Sequence, residues 1–314
     1  MTGSESESAV TEYCFKMKKY LNYLLVSLKG MCMGAADVVP GVSGGTIAFM
    51  TGIYETLVGS INSIDATAVK LLFTGKIRDF WKHINGTFLV FLAAGILISV
   101  FSLAKLMQFL LATHPVQTWA FFFGLIVASS IFILKGIKGW KWQDFIILAA
   151  GIATGAVVCT LSPTETPDSL WFIFICGAIA ICAMILPGVS GSFILLILGK
   201  YEYIMGTISG LTSGQFGHNL LVLGVFGAGA VVGLLSFSKF LHWLLGRWHK
   251  QTLLALAGFI IGSLVKVWPW SNIETAPGTD LHIWGAVCFA LAGLILVTGI
   301  EIAGSKLSSN KSNG

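Results

Sequence analysis

Two stretches of the 314-residue chain decide its fold: Pro40-Gly41-Val42-Ser43-Gly44-Gly45-Thr46 and its near copy 147 positions later, Pro187-Gly188-Val189-Ser190-Gly191-Ser192-Phe193. The same offset relates Gly52-Ile53-Tyr54-Glu55 to Gly199-Lys200-Tyr201-Glu202. Matches that recur at a fixed offset indicate an internal duplication. Each half of the chain therefore carries the same Pro-Gly break.

A second group of matches lies further along the chain, at an offset of 134 positions. It relates Lys105 to Lys239 and Gly124 to Gly258. The offset falls by 13 positions between the two groups, so the first repeat carries about that many extra residues. We assign them to the amphipathic connection at residues 64–84, which is suited to lie on a membrane surface.

The composition is that of a membrane protein: 55% of the residues are hydrophobic and 11% are charged. A soluble domain of this size would not keep so much apolar surface out of water. The net charge of +5 is scattered at segment ends, which argues against a nucleic-acid partner. The apolar runs long enough to cross a bilayer are Phe88–Ala112, Val116–Leu134, Phe145–Leu161, Leu220–Leu245, Leu253–Val267 and Ile283–Ile302.

Lysine and arginine in the connections predict the topology, because cytoplasmic loops carry the excess of positive charge. They place both termini in the cytoplasm and give each half a broken hairpin plus three spans. That unit is odd, so the two halves must be inverted. We predict an all-α membrane protein with a tail at 1–15, a first repeat at 16–161, an inverted repeat at 162–305 and a tail at 306–314. A hairpin that re-enters and one that crosses twice both fit.

The two breaks are candidates for an anion site. Each Pro-Gly break is followed by a helix start, where free N–H groups and the positive end of the helix dipole favour a phosphate or carboxylate. The alternative is helix packing through small residues. The residues that we expect to bind the anion are Ser43, Gly44, Gly45, Thr46, Ser190, Gly191 and Ser192.

Charged side chains inside the membrane cost roughly 2.5–3.5 kcal/mol each, so they indicate function. Lys29 and Asp37 lie in the first hairpin, where the second repeat has Cys176 and Met184. We expect Lys29 to contact the anion and Asp37 to bind a coupling proton or sodium ion. The alternatives for Asp37 are a pairing with Lys29 and a cap on a helix end.

Two further sets of matched polar residues lie nearer the membrane faces. Lys105 and Lys239 would each offer an anionic substrate headgroup a cationic contact at one membrane face. The alternative is that both side chains extend to the headgroups of the surrounding lipid. The pairs Tyr54-Glu55 and Tyr201-Glu202 come near the interface and are candidates for gating. A solvated role or a pairing with lysine is the alternative for the glutamates.

Catalytic and metal-binding patterns are missing from the sequence. It has no hydrolytic triad, HExxH motif, phosphate-binding P-loop or pair of carboxylates. Its six histidines are scattered at span ends, and its six cysteines lack metal-ligand spacing. We therefore predict no catalytic residue, no metal site and no cofactor apart from a coupling ion.

The segment from Gly30 to Thr46 with Gly52-Ile53-Tyr54-Glu55, and the later Leu186 to Ser192 with Gly199-Lys200-Tyr201-Glu202, closely resemble the two signatures of the DUF368 family of bacterial membrane proteins. The resemblance covers residues 20–303. It implies a substrate, since this family is implicated in the recycling of polyprenyl phosphate. Undecaprenyl phosphate, the lipid carrier of cell-wall precursors, must return from the outer to the inner leaflet of the plasma membrane.

Residue pattern and resemblance together predict a plasma-membrane flippase for polyprenyl phosphate that works by alternating access. Its partners would be that lipid and the bilayer, and the sequence does not predict an oligomeric state. A transporter of a small soluble anion would use the same helix starts without opening to lipid. A membrane lipid-phosphate enzyme is the third hypothesis, and the missing acid, base and nucleophile argue against it.

Overall fold

Helices account for all the regular structure in the described part of the chain. The computed structural model of the protein describes residues 21–37, 43–163, 166–209, 216–270 and 283–312. A chain in lipid must pair its own backbone N–H and C=O groups, and a helix does so within one segment. The expected all-α class is confirmed.

The first half opens with α1 (residues 21–37), and the break after it, residues 38–42, lies outside the described residues together with the predicted tail at 1–15. Two short helices complete the broken hairpin, and an amphipathic pair precedes three long helices. In chain order they are α2 (Gly44–Met50), α3 (Tyr54–Asn62), α4 (Ala66–Phe73), α5 (Ile77–His83), α6 (Gly86–Thr113), α7 (Pro115–Gly136) and α8 (Trp142–Thr160).

The second half repeats this order without the amphipathic pair. Its helices are α9 (Leu170–Ile185), α10 (Gly191–Ile197), α11 (Tyr201–Ser209), α12 (Phe216–Arg247), α13 (His249–Ser263) and α14 (Ile283–Ser312). The helix α14 runs on to Ser312, so it enters the segment 306–314 that the charge pattern assigns to a tail.

Among the described residues, three helices are long and apolar enough to cross a bilayer, namely α7, α8 and α12. The pair α5 and Gly86–Ser99 of α6, bent by 68°, makes a fourth if it counts as one span. The helix α13 ends at Ser263, four residues before the end of the predicted run. Its 15 residues rise about 22 Å, less than the roughly 30 Å of a hydrocarbon core. The chain is thus a multi-pass membrane protein.

In the part of the chain that the structure describes, four helix pairs pack with glycine on both sides of the contact. Gly124 of α7 lies against the carbonyl of Ala290 in α14, and Gly293 of α14 lies against the carbonyl of Phe121 in α7. Because lipid gives helices no hydrophobic reason to associate, close backbone approach through small residues supplies the contact. The other glycines that meet a facing carbonyl are Gly30, Gly34 and Gly95 (α1 with α6), Gly177, Gly229 and Gly233 (α9 with α12), and Gly151, Gly155, Gly258 and Gly262 (α8 with α13).

The helix pairs correspond between the two halves in the same way as the sequence matches. The pair α1 and α6 corresponds to α9 and α12, and the pair α7 and α14 corresponds to α13 and α8. Gly30 with Gly177, and Gly124 with Gly258, are matched in sequence and lie at these contacts. Part of the internal similarity is therefore explained by helix packing.

The second matched motif forms a turn between short helices. Gly52 has φ +70° and Gly199 has φ +62°, a left-handed conformation that favours glycine. Each turn joins a seven-residue helix after the break to a nine-residue helix. In the first half, every residue of α2 from Gly44 to Phe49 is buried, so the broken segment runs through the core.

The amphipathic pair α4 and α5 accounts for the extra residues of the first repeat. Asp65 caps α4, and the amide of Ala68 and the ring of His83 hold the pKa of its carboxyl below the usual range. Phe73 and Trp81 are exposed. An apolar face left uncovered beside membrane helices fits the predicted position on the membrane surface.

The glycine contacts can be tested at Gly124. A Cβ atom there would collide with the backbone of Ala290, so we expect Gly124→Ala to destabilise the protein by about 1–3 kcal/mol. Gly224→Ala in α12 is the control, because nothing lies within 4 Å of its added Cβ. Thermal unfolding of the purified variants in detergent measures the difference. Equal midpoints for the two variants would contradict the packing account.

Candidate functional site

The two broken segments contact each other directly. The backbone N–H of Gly188 donates a hydrogen bond to Thr46 Oγ1 at 2.7 Å. The hydroxyl of Ser43 lies 3.4 Å from the carbonyl oxygens of Met184 and Leu186, to which it donates. Gly45 faces the same backbone segment at the end of α9, and a Cβ there would lie 2.8 Å from the carbonyl oxygen of Met184. The start of α2 therefore packs into the end of α9.

The first helix start is already capped by an anionic side chain. Ser43 is the N-cap of α2, and its hydroxyl accepts a hydrogen bond from Gly45 N at 3.1 Å. The N–H of Gly44 donates to Asp37 Oδ1 at 2.6 Å. Lys29 lies elsewhere, since its Nζ donates to the carbonyl of Thr51 at 2.7 Å. Of the two alternatives for Asp37, the structure has the helix cap and not the pairing with Lys29.

The second helix start is capped by neutral side chains. Ser190 is the N-cap of α10, and its hydroxyl accepts a hydrogen bond from Phe193 N at 3.2 Å. Ser192 Oγ lies 3.2 Å from Ser190 Oγ. Met184, which corresponds to Asp37, packs its side chain beside Gly191 instead of a carboxylate. The two starts are therefore alike in backbone and different in charge.

The junction between the two breaks, formed by residues 43–46 and 187–191, is buried. Relative exposure is 0% for Ser43, 1% for Thr46 and 5% for Ser190, and Gly44 and Gly45 are buried as well. Apolar side chains from α1, α2, α3, α6, α7, α9, α12 and α13 form the core cluster around it. In surroundings of this kind, each N–H and hydroxyl strongly favours a hydrogen-bonded or anionic partner.

The predicted lysines do not gather at the junction. Lys239 is exposed on α12, and the side chain of Lys105 lies outside the described part of the structure. Lys266, which was not among the predicted site residues, follows α13 and holds its Nζ 4.7 Å from the centre of the Phe193 ring. The feature of the sequence that could have identified Lys266 is that it is a single charged residue near the end of the apolar run 253–267. Lys266 is half-buried and brings a positive charge beside the second helix start.

A second lysine that the sequence analysis passed over is structural. Lys200 is only 3% exposed, and its Nζ donates to the carbonyl of Thr166 and to the carboxylate of Asp168. It ties the connection before α9 to the turn between α10 and α11. The feature of the sequence that could have identified Lys200 is its position inside the matched motif, where the first repeat has Ile53.

The candidate gating residues differ between the halves. Tyr54 is buried edge-to-face against Phe49, with ring centres 5.2 Å apart, and its hydroxyl has no partner within the described residues. Glu55 is exposed and lies 2.8 Å from His249 Nε2. Tyr201 and Glu202 are exposed. Within the described residues, no three His, Cys, Asp or Glu side chains cluster as metal ligands would.

Comparison of the sequence with known proteins places this chain in a family. Residues 33–281 match the family described as undecaprenyl phosphate translocase-like. A polyprenyl-phosphate transporter of Vibrio cholerae is 47% identical over 254 residues, which cover 81% of this chain and 80% of the relative. A polyprenyl-phosphate transporter of Staphylococcus aureus is 36% identical over 255 residues, 77% of this chain and 85% of the relative. No solved structure matches.

Both relatives are named as transporters and not as enzymes. The match covers both Pro-Gly breaks and the helices from α2 to α13, and it confirms the resemblance seen in the two signatures. The chain belongs to the undecaprenyl phosphate translocase-like family, DUF368.

Proposed function

We propose that this protein is a flippase that returns polyprenyl phosphate, in bacteria undecaprenyl phosphate, from the outer to the inner leaflet of the plasma membrane. The names of its relatives support this substrate. The observation in the molecule that carries the proposal is the hydrogen bond from Gly188 N to Thr46 Oγ1, which joins the two breaks. It concentrates polar backbone and hydroxyl groups at one point inside an apolar protein.

The phosphate headgroup would bind where the helix starts meet, at Ser43–Thr46 and Ser190–Ser192. Small side chains there let an anion approach the backbone, and the hydroxyls and N–H groups are donors. Lys266 adds a cation on the second side. Lys29 lies on the first hairpin, while Lys105 and Lys239 would attract the headgroup at the membrane faces.

The two halves would act as inverted repeats around this point, with both termini in the cytoplasm. Loop charge supports the inversion, and the corresponding helix pairs support a two-fold relation. The helices α2 and α10 have seven residues each and rise about 10 Å, so neither crosses the hydrocarbon core. Hairpins that re-enter are therefore favoured. Alternating access would open the junction to one leaflet and then to the other.

Transport by purified protein tests the function. Reconstituted in liposomes, the parent should move a labelled polyprenyl phosphate between leaflets and leave inorganic phosphate outside. Thr46→Val should lower the lipid rate tenfold or more, because the buried Gly188 N–H loses its acceptor at a cost of about 1–3 kcal/mol. Thr46→Ser keeps the hydroxyl and should retain the rate.

Three results would count against this proposal. Uptake of inorganic phosphate without lipid movement would make the protein a transporter of a soluble anion. Release of phosphate from the lipid would make it an enzyme. Equal rates for Thr46→Val and Thr46→Ser, at equal amounts of folded protein, would show that the Gly188–Thr46 contact has no part in transport.

Asp37 gives coupling a physical basis. Its carboxylate holds the Gly44 N–H that the phosphate would use, so the two anions compete. A proton or sodium ion bound to Asp37 would weaken that hold. Inward movement of a phosphate also opposes an inside-negative potential by about 2.3 kcal/mol per charge per 100 mV, and an accompanying cation offsets this.

We therefore expect Asp37→Asn to bind the lipid phosphate but to lose its response to an imposed proton or sodium gradient. The asparagine keeps the size of the side chain and removes the charge that would hold the cation. Asp79→Asn, on the exposed surface of α5, is the matched control and should respond as the parent does. Translocation in proteoliposomes with each gradient measures this. An Asp37→Asn protein that still responds to both gradients would make Asp37 a structural cap only.

A further inference from the structure

An apolar cavity of about 230 Å³ lies beside the first break, between α1, α2, α7 and α14. Ala36 and Ile47, which precede and follow the first break in the sequence, line the cavity, and Phe122 of α7 lines it as well. The lining residues Cys32 and Leu296 are exposed. The cavity therefore opens sideways between α1 and α14, toward the lipid.

The cavity adjoins the proposed headgroup site. Ala36 directly precedes Asp37, whose carboxylate holds the Gly44 N–H. Ile47 follows Gly44 by three residues, a rise of about 4.5 Å along α2. A ligand with an anionic end at Gly44 and an apolar remainder would therefore reach the cavity with the first atoms of its chain.

The size and lining of the cavity fit a short piece of hydrocarbon chain. Among the described residues that line it, none is charged, and two carry aromatic rings, Phe121 and Phe122. A dry protein cavity of about 150 Å³ takes up benzene, a six-carbon ligand. A volume of 230 Å³ then suits one or two five-carbon isoprene units. The Nζ of Lys29 donates to the carbonyl of Thr51, a lining residue, so this cation lies beside the cavity.

We propose that this cavity binds the isoprene units next to the phosphate, so that the protein recognises the chain of its substrate as well as its headgroup. The proposal rests on the proposed function, because the headgroup at the breaks directs the chain into the cavity. It separates this substrate from a free phosphate, which would leave the cavity empty. The cavity would also discriminate against a diacyl lipid phosphate, because a polar glycerol unit would follow the phosphate where the cavity is apolar.

Native cysteines provide the first test without any substitution. Cys32 lines the cavity, and Cys288 is exposed on α14 outside it. In the purified full-length protein, farnesyl phosphate should slow alkylation of Cys32 by a maleimide about tenfold and leave Cys288 unaffected, as read by mass spectrometry of each peptide. Inorganic phosphate and phosphatidic acid should protect neither. Protection of both cysteines, of neither, or of Cys32 by phosphatidic acid to the same extent would overturn the proposal.

A cavity-filling variant provides the second test. Ala35→Phe should weaken binding of farnesyl phosphate roughly tenfold or more, since burial of one apolar side chain's worth of surface is lost. Competition by inorganic phosphate should not change. Ala149→Phe, on the exposed face of α8, is the matched control for an added ring.

Different results would overturn the chain-binding site and the proposed transport function. Unchanged farnesyl phosphate binding by folded Ala35→Phe, with the parent transporting polyprenyl phosphate, overturns the chain site and leaves the function standing. A parent that neither binds nor moves polyprenyl phosphate overturns both. Equal losses for farnesyl phosphate and inorganic phosphate would show that the ring disturbs the headgroup site, which also overturns a separate chain site.

Discussion

The structure depends on one constraint: a backbone broken inside lipid must find partners for the N–H and C=O groups that leave the helix. Here each break supplies the partners of the other. Gly188 N donates to Thr46 Oγ1, and the hydroxyl of Ser43 meets the carbonyls of Met184 and Leu186. A polar group left unpaired in such a place costs about 1–3 kcal/mol. The two halves are thus held in register by the groups that a transported anion would use.

The remaining helices bring the two breaks together through glycine contacts. Gly124 and Gly293 let α7 and α14 approach until backbone meets backbone, and α8 and α13 do the same. These pairs cross between the halves, while α1 with α6 and α9 with α12 lie within them. The scaffold is therefore made from contacts with little side-chain freedom.

Much of this architecture can be predicted from short stretches of the sequence. The paired motifs at Pro40 and Pro187 predict the breaks, and the apolar runs predict the long helices. Partners across the fold were not predictable, because they depend on which helix faces which. Asp37 meets Gly44 and not Lys29, and Lys266 reaches Phe193 from the turn after α13. The apolar cavity beside α1 likewise exists only once four helices have assembled.

The most direct measurement is an experimental structure of the protein in a lipid nanodisc with polyprenyl phosphate bound. The account predicts density for the phosphate within hydrogen-bonding distance of residues 43–46 and 190–192, with Asp37 displaced from Gly44. Phosphate density at another depth, with the Gly188–Thr46 contact and the Asp37 cap unchanged, would contradict it.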